Sequence, residues 1–228
     1  IFFGNYAIDF NLEERAGVGG SLFFDKTDNS EIRLTAQAFY LDKSRLSGEI
    51  FSGKARDGIT NGQIGDTGRL NNYLVTLNGG ITNWDPGLRW TIGAGRQEPG
   101  DNVEKTEEAV LASLYEIHRL SGGGDVEFSL DLLSVDNADG FNENTDSITV
   151  GGGYSDWPAY AGLAYSVRDV QYLDDDSERR DRIVEVVLRK GITESTLVEA
   201  AYQYSDAWDE VEKNFGIVFR YYTDWSID

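Results

Sequence analysis

Along most of this chain, apolar and polar positions alternate with a period of two. In Val126-Glu127-Phe128-Ser129-Leu130-Asp131-Leu132 the even positions are apolar and the odd ones polar. A strand sends successive side chains to opposite faces, so this stretch is a strand with one greasy face and one wet face. The pattern returns in 5–12, 32–40, 73–79, 88–94, 198–204 and 215–221. In all it predicts strands at 2–13, 17–25, 31–41, 45–54, 71–82, 87–97, 108–120, 125–135, 147–155, 159–169, 182–190, 196–205 and 213–222. The three prolines, Pro86, Pro99 and Pro158, fall between these segments. Strand interiors need every backbone donor, which proline lacks.

The connections come in two kinds. Short ones at 83–87, 121–125, 155–158 and 191–195 alternate with long polar ones at 54–70, 97–107, 136–146, 169–181 and 205–213. Carried backward, the alternation makes 13–17 and 41–45 short turns, and 25–31 an unusually short member of the long series. A soluble sandwich has no reason to gather its long loops at one end. A meander barrel in an asymmetric membrane does so, with short periplasmic turns and long outer loops. The expectation is therefore all-β: an antiparallel up-and-down transmembrane β-barrel of about 12–14 strands, with short periplasmic turns and long acidic outer loops. No linker or shift in composition divides the chain, so residues 1–228 form one domain. Thirteen strands is an odd count, and 226–228 begins a strand that does not continue. A terminal strand is expected to be missing.

Composition narrows the function. There is no cysteine, which excludes a disulfide framework and thiolate metal sites. A single histidine excludes a multi-histidine metal site within one chain. There is no methionine, even at position 1, so the chain is expected to start after a processing boundary. The net charge of −20 opposes binding to nucleic acid and attachment to anionic lipid through a basic patch. No apolar run is long enough for a transmembrane helix.

The two faces divide the candidate functional residues. The apolar face holds Leu34, Val75, Ile92, Phe128, Leu130, Val150, Leu163, Val186 and Ile217 among others, none of them charged. Trp84, Trp157, Trp225 and Tyr221 sit at strand ends and are expected in the aromatic girdles at the membrane interfaces. The polar face is expected to line the lumen with Asp9, Arg33, Gln37, Glu49, Arg89, Arg96, Glu127, Asp131, Arg168, Glu185, Arg189, Glu199 and Arg220. Six arginines stand there against six carboxylates, so the excess negative charge belongs to loops such as Asp174-Asp175-Asp176. Facing charges would either pair across a narrow bore or line a wet channel. The pattern leaves both open.

Other chemistry is weaker. His118 and Ser121 are three apart, which puts them on opposite faces of a strand rather than in a nucleophile–base pair. The stretch 136–143 is acidic, but its glycine falls one position too early for an EF-hand loop. Gly151-Gly152-Gly153 lies in a strand and lacks the strand–loop–helix setting of a phosphate cradle; it is expected to relieve crowding. No enzyme activity, cofactor or metal is expected.

The turns Ile81-Thr82-Asn83-Trp84-Asp85-Pro86-Gly87 and Thr223-Asp224-Trp225, together with the alternation along the whole chain, carry a resemblance. The chain resembles a Gram-negative outer-membrane β-barrel of the porin-like kind. The resemblance implies the cell outer membrane and a channel for passive passage of small hydrophilic solutes or ions. Its contacts would be outer-membrane lipid and lipopolysaccharide, small solutes or cations, and a protein partner or further copies. The alternatives are a plugged barrel acting as an anchor or scaffold and, less well supported, a soluble β-sandwich binding domain.

Overall fold

A computed structural model describes residues 15–27, 30–41, 64, 65, 67, 69–81, 87–193, 195–207 and 210–221. The strands expected at 2–13 and 45–54 lie outside these residues. So do Asp9, Glu49, Trp84 and Trp225, and of Tyr221 only the backbone is described.

Eleven strands follow one another: β1 (Arg15–Lys26), β2 (Ser30–Leu41), β3 (Asn72–Ile81), β4 (Gly87–Gln97), β5 (Glu107–Arg119), β6 (Asp125–Asp136), β7 (Glu143–Asp156), β8 (Ala159–Tyr172), β9 (Ser177–Thr193), β10 (Thr196–Ala207) and β11 (Glu210–Tyr221). They form a single sheet in sequence order, every neighbouring pair antiparallel. This is the up-and-down meander that the alternation predicts. Among the described residues no pairing joins β1 to β11, and the sheet is not closed.

The pairing of β2 with β3 corrects one expectation. These strands are direct antiparallel partners, with Phe39 opposite Asn72 and Ser30 opposite Ile81. No ladder position remains between them for a strand at 45–54. In the described sheet β3 therefore follows β2 directly, and the turn after Lys26 belongs to the short-turn end. The anomalously short outer loop at 25–31 disappears once this is seen.

A second difference concerns 169–181. Most of that expected loop is ladder: Asp169 pairs with Arg180 and Tyr172 with Ser177, leaving 173–176 as a four-residue turn. Strands β7, β8 and β9 run 14, 14 and 17 residues. About 9–11 tilted residues cross a bilayer, so this hairpin projects past the apolar zone at the long-loop end. Apolar alternation stops where the lipid would, and the hydrogen-bond ladder does not.

Burial is inside-out. On the apolar face Ile92, Leu163, Leu188, Phe215 and Phe219 stand more than half exposed. On the polar face Asp181, Glu185 and Glu199 are at 2% or less. Among the described residues no second layer covers either face, since each strand packs on its neighbours in the one sheet. A soluble sandwich buries its apolar face instead.

Candidate functional site: the polar inner face

Register places the expected lumen residues. Ile183, Ser166, Thr149, Asp131, Ser113, Thr91, Asn78 and Arg33 form one row across β9 to β2. Glu185, Ala164, Gly151, Ser129, Tyr115 and Arg89 form the next. Gln37, Glu127, Arg168, Arg189, Glu199 and Arg220 lie on this same face. Within the rows, small polar side chains tie neighbouring strands. Ser113 donates to Asp131, Thr91 donates to Asn78 (2.9 Å), and Thr149 and Ser166 share a hydrogen bond of 2.8 Å.

Arg96 does not belong there. It lies seven residues from Arg89, with no bulge in either flanking ladder, so it points to the opposite face. It sits opposite Tyr73 and Glu108 and pairs with Glu98 (2.9 Å) and Glu108 (3.4 Å). This is the long-loop end of β4, beyond the apolar rows, where water allows an outward charge.

Two clusters dominate the polar face. Toward the long-loop end, Asp181 receives Arg168 (2.7 Å) from β8 and Arg179 (2.9 Å) from its own strand. The Arg179 guanidinium also donates to the Tyr172 hydroxyl and lies over that ring. Toward the short-turn end, Glu127 accepts hydrogen bonds from Tyr115 (2.7 Å) and from Tyr160. Gly153 and Gly162 make this possible. A side chain on Gly153 would begin 2.7 Å from the Glu127 Oε1 atom, and one on Gly162 would begin 2.6 Å from the Tyr160 hydroxyl. The expected relief of crowding in the glycine run thus has a definite object. Beside this cluster Arg189 stacks over Tyr160 and pairs with Glu199 (2.6 Å), which Arg220 approaches to 3.5 Å.

Tyr115, Tyr160, Arg179 and Asp181 are absent from the expected lumen set. A tyrosine carries both an apolar ring and a polar hydroxyl, so alternation alone assigns it no face. Arg179 and Asp181 fell inside an expected loop. Their signal is parity: 179, 181, 183 and 185 share one face of a longer β9.

At the long-loop end the connections knit together. Asn72 is fully buried; its amide donates to the Phe39 and Gly65 carbonyls (3.0 Å each) and its oxygen accepts from the Glu98 N–H. The Asn137 amide donates to the Thr106 carbonyl (3.1 Å), and the Asn142 amide donates to Asp174 (2.7 Å). Asp175 accepts from the Ser177 hydroxyl and N–H, which holds its carboxyl below the usual carboxylate range. His118 contacts Glu116 at 3.0 Å, both on the outward face of β5.

No protein-family model matches the chain, and no curated protein matches it. Among solved structures it is similar to OmpTdeltaL8, a loop L8 deletion mutant of OmpT, an outer membrane protein of Vibrio cholerae. The likeness covers 89% of this chain and 62% of that one, with a TM-score of 0.51 and 15% identity. The chain has the fold of an outer-membrane β-barrel protein. It spans somewhat less than two thirds of the length of that neighbour. The outward apolar face and the buried polar face are those an outer-membrane barrel presents to lipid and to its interior.

Proposed function

We propose that this outer-membrane barrel is a porin-like channel for passive passage of small hydrophilic solutes and ions. The observation that carries this is where the interior charges pair. Arg168 with Asp181, and Arg189 with Glu199, are register neighbours on adjacent strands. Such pairs lie along the wall. A plug needs pairs that reach across the bore, so wall pairing favours a wet channel over an anchor or scaffold. The proposal assigns no catalytic role, and His118 and Glu116 face outward, away from the polar rows. Membrane lipid surrounds the barrel, and small solutes or cations pass through it.

Much of the net charge of −20 lies at the long-loop end, where carboxylates at a mouth concentrate cations. The channel is expected to prefer cations weakly at low salt. The preference fades near about 1 M, where screening acts within about 3 Å. Neutralising Asp174, Asp175 and Asp176 together lowers it. Planar bilayer recordings with reversal potentials in a salt gradient measure both. Folded protein without any conductance rules the channel out. Anion preference, or cation preference undiminished at high salt, places selectivity on wall residues such as Arg33, Arg89 and Glu127.

A further inference from the structure

We infer that the short-turn mouth of the polar face carries a binding site for a neutral sugar. A cavity of about 520 Å³ opens there, framed by Arg119, Asp125, Asp156, Trp157, Tyr160 and Arg189. That volume lies within the range of small-molecule sites. The decisive residue is Trp157. As a girdle aromatic it would lean over lipid. Instead its ring edge, Cη2 and Cζ2, lies 3.3 and 3.5 Å from where a side chain on Gly191 would begin. Gly191 is buried and shares the polar face with Glu185, Val187 and Arg189. The Gly191 N–H donates to the Pro158 carbonyl (2.7 Å), which pins the turn that carries the indole. The ring is 75% exposed, so a broad apolar plane stands open over the inner mouth.

The charges around it decide the class of ligand. Arg119 is matched by Asp125 (3.5 Å) and Arg189 by Glu199 (2.6 Å), with Asp156 adding an acceptor at the rim. A phosphate would meet carboxylates beside each guanidinium. A metal cation would meet the guanidiniums. A flat aromatic ligand would bury the charged rim without satisfying it. A sugar ring fits on both counts. Its C–H face stacks on the indole, and its hydroxyls both donate to Asp125 or Asp156 and accept from Arg119. The inference deepens the channel proposal, and rests on it for the idea that such solutes then cross.

Two measurements separate the site from the channel. The folded protein in detergent is titrated with maltotriose and with raffinose, following tryptophan fluorescence. The same sugars are added on the short-turn side of a planar bilayer, following the current. A saturable fluorescence change and a concentration-dependent current block are expected. Trp157→Ala should weaken both by about tenfold, the loss expected for one stacking platform. Trp157→Phe should retain most of the affinity, and inorganic phosphate should produce neither effect. Conductance with no saturable response to either sugar, or equal affinity in Trp157→Ala, overturns the site and leaves the channel. Saturable, Trp157-dependent binding in a protein that never conducts upholds the site and overturns the channel.

Discussion

Asp181 and Glu127 are carboxylates on the same face of one sheet, and they are held in opposite ways. Asp181 is flanked by two guanidiniums, 2.7 and 2.9 Å away, and is fully buried. Glu127 has two neutral hydroxyls, those of Tyr115 and Tyr160, and is only half-buried. Near the long-loop end, charge is answered by charge. Near the short-turn end the carboxylate is held by the hydroxyls, and the guanidinium of Arg189 lies over the Tyr160 ring. One face of the sheet thus holds its carboxylates in two different surroundings. A buried charge needs an opposite charge, whereas one that reaches water needs only its donors satisfied.

The comparison can be broken most forcefully at Asp181. Asp181→Ala strands two largely buried guanidiniums, and a loss of about 3–5 kcal/mol is expected. Guanidinium unfolding in lipid vesicles measures it. A loss no greater than for Glu127→Ala would mean that water, and not the carboxylate, satisfies Arg168 and Arg179.

The same cation that is stabilising beside Asp181 should be harmful one face away. Leu130→Arg places it among the outward apolar rows at a cost of about 2–4 kcal/mol near mid-depth. Asp131→Asn, on the neighbouring residue, should fold as the parent does. Equal tolerance of the two in a vesicle folding experiment would refute the assignment of faces.

The smallest effect belongs to Glu127. Glu127→Ala removes the acceptor from two hydroxyls that can turn to water, for about 1–3 kcal/mol, and Glu127→Gln should cost less because a carbonyl oxygen remains. Thermal unfolding of the two variants side by side gives the difference. A Gln variant as unstable as the Ala variant would show that the charge itself holds the tyrosines.

The meander and its two faces were legible because period two follows directly from the pleat, and ten of the expected lumen residues fall on one face of the sheet. Arg33, Arg89, Glu127, Asp131 and Arg168 fall where parity puts them. What failed has a common physical cause. Alternation reports the boundary between lipid and water, not the ladder itself. Where β8 and β9 leave the apolar zone, polar residues occupy both faces and the strand reads as loop, which hid Asp181 and Arg179. Arg96 failed for the same reason: at a strand end the outward face turns polar, and polarity no longer marks the interior. The direct adjacency of β2 and β3 could not be read from the alternation either, and became visible only once β2 was seen against β3. Trp157 could not be placed by pattern, because a turn residue has no face until the turn is folded.

A ring whose members alternate in direction, like beads in two colours, closes only when their number is even. Among the described residues β1 and β11 end the sheet and both run from the long-loop end to the short-turn end, so their outer rims are like-coloured and cannot zip to each other in antiparallel fashion. Antiparallel closure requires an odd number of further strands between them, the first and last running the other way. The specification for that closing piece is already on the two rims. Val18 and Leu22 on one side, and Phe215, Ile217 and Phe219 on the other, set the oily courses it must continue, while its opposite side must be wettable. Whichever polypeptide supplies it, the gap itself dictates the direction of the strand and the order of its side chains.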